Sequence, residues 1–250
     1  MSSIQEQLSI LGKFNFERKP VGAKYLLNKP NGIEKLNKRL TFCEMFKEAQ
    51  NRSPFYAEKE DFTCGGPLML GMEEPNPVGL SGQIGANDGI YKEPRANRRI
   101  YQEIPRLERN TVRYAAFSPV DQLPFNPDVL IFTCNTSQAE ILFRALSYST
   151  GKVLTTKTTP ALMCSWLLIY PYLSGEPNYS ISGLGFGMKA REVMPEGFIL
   201  LSVPYDLIPM VIENLNEMEW VLPAYTVGKE KIMDFFMKAG EKSRYEYENG

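Results

Sequence analysis

The chain has 250 residues, of which 43% are hydrophobic and 23% charged, a composition typical of a globular protein with one large domain or two small ones. Its 28 basic and 29 acidic residues give a net charge of −1, so the charge does not favour nucleic acid or an anionic membrane as a partner. The absence of histidine excludes serine–histidine and cysteine–histidine catalysis as well as histidine-ligated zinc.

The N-terminal residues lack the cationic and apolar regions of a secretory signal peptide. The best apolar run, residues 160–173, is too short to span a membrane. We therefore expect a cytoplasmic protein whose thiols are reduced rather than paired in structural disulfides. The spacing of Ile4, Leu8 and Leu11 predicts an amphipathic helix over residues 2–14, within an N-terminal unit of residues 1–19.

Residues 20–127 form the first of two predicted halves, in which apolar periodicity alternates between strand and helix patterns. The predicted elements are a strand over 20–27, a helix over 35–50, a strand over 53–57, a helix that begins near Cys64, a glycine-rich strand over 78–85 and a strand over 111–117.

Residues 128–222 form the second predicted half. It opens with a continuous apolar, β-branched run over 128–133, which is typical of a buried central strand. A helix over 137–150 follows, capped by residues 135–137, and then a strand over 152–156. The next helix is capped by Thr159 and Pro160 and carries Cys164. Strands over 179–182 and 198–203 and a helix over 204–217 complete this half. Residues 223–250 are predicted as a last helix over 229–238 and a solvated tail from 241.

The order of elements corresponds between the halves: strand 20–27 with strand 128–133, helix 35–50 with helix 137–150, and the two cysteine-bearing helices with each other. Segments 117–124 and 201–209 are also alike in sequence. We therefore predict an α/β fold, with α+β as the alternative, built as a pseudo-symmetric tandem repeat of two βαβαββ-like halves within one globular domain.

Cys64 and Cys164 are both predicted in the opening turns of helices, where the helix N-terminus stabilises a thiolate. If the halves pack about a pseudo-twofold axis, both sulfurs face one pocket, with Cys43 as a third metal ligand and Cys134, at the end of the central strand, as a candidate fourth. Three thiolates suit an iron–sulfur cluster or another thiolate-bound metal. The alternative is that these cysteines are small buried hydrophobic residues, which is the simpler interpretation for Cys43 and Cys134.

Two further groups are candidate ligand-binding residues. Gly65 and Gly66 leave room for a ligand to approach backbone N–H groups, and Gly185 and Gly187 belong to a second glycine-rich segment, for which close packing is the simpler explanation. The basic cluster that contains Arg95 and Arg99 is a candidate clamp for an anionic group, and its alternative is a solvated basic loop.

Short pieces spread over residues 20 to about 210 occur in an order that resembles the uncharacterised family called domain of unknown function 169. These pieces are residues 21–24, 42–43, 64–66, 127–129, 138–139, Cys164, 171–175 and the glycine-rich segment that ends at Gly187. The family has no established activity. Its pattern includes a further cysteine and an arginine in the segment that corresponds to residues 184–189, where this chain has no cysteine. The resemblance therefore disfavours a site of four thiolates.

Three hypotheses remain open from the sequence. The chain binds a small ligand or a thiolate-held metal between its halves, or it is a cysteine-dependent enzyme in which Cys64 attacks a small anionic substrate held by Arg95 and Arg99. In the third, it is an assembly or regulatory protein without a site. A small molecule is the expected partner, and assembly into a homo-oligomer is left open.

Overall fold

A seven-stranded sheet runs through the computed structural model, which describes residues 8–249. The strands are β1 (Val21–Leu26), β2 (Glu34–Lys35), β3 (Phe55–Ala57), β4 (Tyr114–Pro119), β5 (Val129–Cys134), β6 (Asn178–Ile181) and β7 (Ile199–Pro204). They are ordered β2-β3-β4-β1-β5-β7-β6. Only β2 and β3 pair in parallel among these described strands, and the others pair antiparallel. The prediction of a mixed α and β fold in one domain is confirmed at this level.

Twelve α-helices of unequal length connect and cover the strands in the described part of the chain. They are α1 (Phe42–Ala49), α2 (Gly66–Met69), α3 (Pro77–Leu80), α4 (Gln83–Asn87), α5 (Pro94–Glu103), α6 (Thr136–Ser147), α7 (Met163–Leu168), α8 (Tyr170–Ser174), α9 (Phe186–Ala190), α10 (Ile208–Glu217), α11 (Pro223–Thr226) and α12 (Ile232–Asn249). The predicted N-terminal helix corresponds to a 3-10 helix over Leu8–Phe14, and its residues 2–7 lie outside the described residues.

Each face of the sheet has its own hydrophobic core, because successive strand side chains point to opposite sides. On the first face, Val129 and Ile131 of β5 pack with α1, α2 and α7. On the second face, Leu130 and Phe132 pack with the N-terminal 3-10 helix, α6 and α10. The two elements that carry Cys64 and Cys164 therefore share the first face, and Cys134 belongs to the second.

The central strand and the helix after it follow the sequence closely. All six residues of β5 are buried between the two cores, as its continuous apolar run predicts. Asn135 caps α6 and accepts from the backbone N–H of Gln138, whose side chain in turn accepts from the N–H of Asn135. Burial of Ala139, Leu142, Ala145 and Leu146 confirms the predicted inner side of this helix.

Two predicted elements in the first half are wrong. The helix predicted over 35–50 begins only at Phe42, where Thr41 and Glu44 form a capping box. Residues before it extend along the sheet instead, with Leu36 N donating to Tyr56 O at 2.7 Å. The glycine-rich strand predicted over 78–85 is the helix pair α3 and α4. Glycine is used there for close packing, since a Cβ on Gly85 would lie 2.4 Å from the Asn97 amide nitrogen on α5.

The predicted strand over 152–156 is also wrong, because this segment joins the edge strand β6 through side chains. The buried Asn178 amide accepts from Lys157 N at 2.9 Å and donates to Lys157 O at 2.8 Å. Thr156 Oγ1 donates to Tyr179 O, and Thr158 Oγ1 lies 2.7 Å from Ser180 Oγ. Residues 156–158 therefore cover the outer edge of β6 without a ladder of backbone hydrogen bonds.

The C-terminal prediction needs a correction as well. The helix predicted over 229–238 continues as α12 to Asn249, so residues 241–249, predicted as a solvated tail, are exposed but helical. Within the described chain, none of the residues of α12 is buried. The described residues contain no helix that combines the length and the apolar character needed to cross a membrane.

Candidate functional site

Cys64 lies two residues before α2, and its side chain is half-buried. Its Sγ accepts hydrogen bonds from two backbone N–H groups, that of Phe42 at 3.2 Å and that of Gly66 at 3.4 Å. Phe42 is the first residue of α1, so this one sulfur connects the start of α1 with the start of α2. Hydrogen bonds of this kind favour the thiolate form of a cysteine.

Cys43 and Cys164 lie on the same face of the sheet as Cys64. Cys43 is buried in the first turn of α1, with its Sγ 3.3 Å from Thr41 Oγ1. Cys164, in the first turn of α7, places its Sγ 3.9 Å from the Sδ of Met69 at the end of α2. The two cysteine-bearing segments therefore meet across the first face.

Arg191, which follows α9, supplies the positive charge that acts on this group of thiols. Burial raises the pKa of Cys43 and of Cys64, and the Arg191 guanidinium opposes that rise. Burial also acts to raise the pKa of Glu44, but hydrogen bonds with Thr41, aided by Arg191, make it lower than usual. The guanidinium is positioned by a hydrogen bond from Nη1 to Gly187 O at 3.0 Å. We call Cys43, Cys64, Cys164 and Arg191 the thiol site.

A cavity of about 260 Å³ adjoins the thiol site at Arg191. Its acidic side chains both have partners: Glu44 caps α1 through Thr41, and Glu48 pairs with Lys38 at 2.8 Å. The lining residues are Leu40, Glu44, Lys47, Glu48, Asn51 and Arg191. Thr41 leaves the charge of Glu44 in place, so an anion in this cavity would bind to Lys47 and Arg191 beside that carboxylate.

All four cysteines are free thiols, and burial raises the pKa of each one. In Cys64, hydrogen bonds from Phe42 and Gly66 and the charge of Arg191 oppose this effect without cancelling it. In Cys164, the charges of Cys43 and Cys64 add to it, so the three thiols are near enough to interact. The expectation that helix N-termini keep Cys64 and Cys164 as thiolates is therefore wrong, because burial outweighs the local dipoles.

Arg95 and Arg99, the predicted anion clamp, are not part of the thiol site. Arg95 and Arg99 are exposed on α5, which is a helix rather than a loop, and Arg99 Nε donates to Glu103 Oε1 at 2.8 Å. The cation that acts on Cys64 is Arg191. Sequence reasoning missed Arg191, and the available signal was a basic residue four positions after the glycine-rich segment that ends at Gly187.

The candidate glycines differ in their surroundings. A Cβ on Gly66 would lie 2.5 Å from Phe62 Cδ1, and one on Gly185 would lie 2.7 Å from Met163 Cε, so both positions are closely packed. A Cβ on Gly65 would meet only Leu162 at 4.0 Å, so this backbone is open to a ligand. Gly187 holds Arg191 through its carbonyl oxygen. Their predicted role in ligand binding stays a prediction.

Leu162, directly before α7, has a left-handed backbone with φ 57° and ψ 27°. This conformation costs a residue with a Cβ about 1–2 kcal/mol. It ends the extended segment and starts the helix that carries Cys164, which explains why the cap predicted at Thr159 and Pro160 is wrong. Strained backbone of this kind is concentrated at functional sites, and here it lies opposite Gly65.

The metal prediction is not supported by a ligand cluster. Residues 8–249 contain no group of three or more histidine, cysteine, aspartate or glutamate side chains placed to hold a metal ion. Cys43, Cys64 and Cys164 are thus neighbours without forming a preassembled ligand set in this structure. A cluster that binds through them would require these side chains to move together.

Comparison with known proteins gives a family for the chain that contains this site. The model of the DUF169 family, described as "Uncharacterised ArCR", matches residues 10–214, a range that includes every residue of the thiol site. The chain belongs to the DUF169 family. A relative of this DUF169 chain is "Uncharacterized protein MJ0308" of Methanocaldococcus jannaschii, which is 23% identical over 197 residues, 77% of this chain and 83% of the relative. No solved structure matches the chain.

Stability of this DUF169 chain will depend on thiol ionisation at alkaline pH. Burial raises the pKa of Cys134 from its ordinary value of 9.0 to about 12. The folded chain therefore holds this proton more tightly than the unfolded chain, and the resulting stability, complete below pH 9, is lost as the pH rises from about 9 to 12. We expect Cys134→Ala to reduce the loss of unfolding free energy between pH 8 and pH 10 by about 1.4 kcal/mol.

Urea denaturation of both proteins at several pH values measures this difference. Between pH 6 and pH 7 the two proteins should show the same pH dependence, which serves as the internal control. Equal alkaline losses in the wild type and Cys134→Ala would show that this thiol keeps its ordinary pKa in the folded chain.

Proposed function

We propose that this protein binds a small anionic ligand at the thiol site, with Cys64 as the reactive thiol and Arg191 as the cation that attracts the ligand. The observation that carries the proposal is the environment of Cys64 Sγ, which accepts two backbone hydrogen bonds and is influenced by the charge of Arg191. A ligand that approaches the open backbone at Gly65 would meet this sulfur and the positive charge together.

The surrounding groups support an anion rather than a neutral ligand. Glu44 is ionised and held by Thr41. Burial raises the pKa of Glu44, but the Thr41 hydrogen bonds, with the charges of Arg191 and Lys47, have the larger combined effect, so the pKa lies below its ordinary value. Lys47 Nζ donates to the backbone oxygen of Glu192 at 3.0 Å, and its charge, like that of Arg191, acts on Glu44. Lys47 and Arg191 are the lining groups of the cavity that would bind an anion there.

Competing alkylation reactions test the proposal. Iodoacetate and iodoacetamide modify the same sulfur, but only iodoacetate is an anion, so the ratio of their rates at Cys64 reports the attraction. We expect Arg191→Gln to lower this ratio roughly fivefold at low ionic strength, since a charge at about 4 Å contributes about 1 kcal/mol in water. Any change in the pKa of Cys64 affects both rates alike and leaves the ratio unchanged. Peptide mapping by mass spectrometry measures the rates.

Arg99→Gln is the matched control, because Arg99 belongs to the basic cluster that the sequence singled out and is exposed on α5. Its rate ratio at Cys64 should equal that of the wild type. If Arg191→Gln and the wild type give the same ratio, Arg191 does not attract anions to this sulfur. If Cys64 reacts no faster than the buried Cys134, the hypothesis of an assembly protein without a site becomes the better one.

A thiolate-held metal or iron–sulfur centre is the other ligand expected from the cysteines. Elemental analysis of protein purified without oxygen tests it directly. Iron with acid-labile sulfide in stoichiometric amount would replace the anionic ligand by a metal centre on Cys43, Cys64 and Cys164. Metal-free, folded protein leaves the anionic ligand as the proposal.

We further propose that the two predicted halves arose by duplication, which would place the thiol site at their junction. The strand arrangement supports this: Val21, the first residue of β1, pairs with Pro119, the last of β4, and Val129 of β5 pairs with Pro204 of β7 in the same way. Outward from the β1–β5 pair, β4 and β3 on one side correspond to β7 and β6 on the other. The helices give no such support, since α1 and α6 pack on opposite faces.

A further inference from the structure

The C-terminal helix α12 carries an apolar stripe that residues 8–249 of its own chain leave uncovered. Along one side, at spacings of three and four residues, lie Met233, Phe236, Met237, Gly240, Arg244 and Tyr247. Of these, Phe236 is 55% exposed, Met233 66% and Tyr247 91%. The ion pair between Lys242 and Glu246 at 3.6 Å lies on the other side, which also carries the half-buried Ile232 and Phe235. A helix of this kind depends on packing for most of its stability.

Gly240, in the middle of the stripe, is a second and independent observation. Glycine costs a helix interior about 1 kcal/mol relative to alanine, so its presence there needs a reason. The described chain offers none, because a Cβ on Gly240 would meet nothing within 4 Å. A glycine at the point where two helices cross allows their backbones to approach closely.

We propose that α12 pairs with α12 of a second copy of this chain, antiparallel, about a twofold axis near Gly240. In this arrangement each residue N-terminal to Gly240 faces a residue of the partner chain that is equally far C-terminal to Gly240. The stripe is complementary to itself, because the facing residues differ in chemistry and attract each other. Met233 faces Tyr247 of the partner chain, a sulfur–aromatic contact, and Phe236 faces Arg244, a cation–aromatic contact. A twofold interface repeats each of these contacts.

The charges of α12 agree with pairing to a second copy of this chain rather than with binding to a membrane surface or to a strongly charged partner. Arg244 is the only charged residue of the stripe as defined above, and α12 as a whole carries acidic and basic residues interspersed. A surface-bound membrane helix has a predominantly basic polar side. One helix pair is a small interface, so we expect a reversible dimer whose population depends on concentration.

Sedimentation velocity over a range of concentrations, with the full chain, tests the proposal. We expect the wild type to pass from monomer to dimer and Phe236→Asp to remain monomeric at every concentration. Tyr245→Asp is the matched control, because Tyr245 is 69% exposed on the same helix but outside the stripe, and this variant should dimerise like the wild type. A wild type that stays monomeric throughout would overturn the proposal and leave the stripe to a different partner.

Cross-linking tests the position of the axis. When Met233→Cys and Tyr247→Cys are combined, the new sulfurs of two chains face each other on either side of the proposed axis and should form an intermolecular disulfide under mild oxidation, whereas Lys242→Cys, on the opposite side of the helix, should not. Dimers that survive Phe236→Asp, or cross-links that favour position 242, would contradict the antiparallel pair.

Discussion

Replacing Gly71 with alanine should lower the free energy of unfolding by about 3 kcal/mol or more. Gly71 has φ +69°, which costs a residue with a Cβ about 1–2 kcal/mol. The added Cβ would also lie 2.2 Å from the backbone oxygen of Glu108, so the backbone itself must move, at a cost of about 1–3 kcal/mol. Urea denaturation measures the change.

Gly32→Ala separates the two causes. Gly32 has nearly the same backbone conformation, φ +71°, but a Cβ there would meet nothing within 4 Å. We expect this variant to lose only the conformational part, about 1–2 kcal/mol. Equal losses in the two variants would show that residues 107–110 can move away from Gly71 at little cost. The larger loss matters for the thiol site, since Gly71 follows α2 and its oxygen accepts from Asn110 N at 3.0 Å.

Replacing Phe42 with alanine should cost about 3–5 kcal/mol of unfolding free energy, in the range measured for buried aromatic residues. Phe42 is fully buried, and its ring lies 5.8 Å from that of Phe62 and 6.1 Å from that of Phe117. The substitution leaves a cavity between α1 and the sheet. Denaturation by urea, followed by the circular dichroism of the helices, measures this loss.

Phe42→Leu is the control for volume, because it keeps most of the apolar side chain and should be clearly more stable than Phe42→Ala. Both variants retain the backbone N–H that donates to Cys64 Sγ. If α1 shifts into the cavity of Phe42→Ala, alkylation of Cys64 will change as well, whereas it should stay near the wild-type rate in Phe42→Leu. An alanine variant as stable as the wild type would mean that the core closes around the missing ring.

Sequence reasoning succeeded where local signals agree with the final packing. The β-branched run of β5 predicts a strand buried on both sides, and Asn135 with the apolar spacing from Ala139 to Leu146 predicts a capped helix. It failed where a glycine packs against a distant helix and where a charged segment is nevertheless helical. Gly85 lies in a helix because it packs against Asn97, and residues 241–249 are helical although their composition is that of a solvated tail.

The candidate site was predictable only in part, for a physical reason. Cysteine is rare enough to draw attention, and the position of Cys64 beside two glycines marks a turn into a helix. The contact of Cys64 with the N–H of Phe42 and the influence of Arg191 depend on packing between residues far apart in sequence. The pKa of each thiol depends on burial, which local spacing does not determine.

The side-chain attachment of residues 156–158 to β6 has a consequence for solubility. An exposed sheet edge offers unpaired N–H and C=O groups to other chains and is a common starting point for aggregation. In this molecule, any strand that adds to β6 must first displace Asn178 from Lys157 and Thr156 from Tyr179. Residues 156–158 therefore protect this edge of the sheet from pairing with another chain, and the protection depends chiefly on the two hydrogen bonds of Asn178 with Lys157.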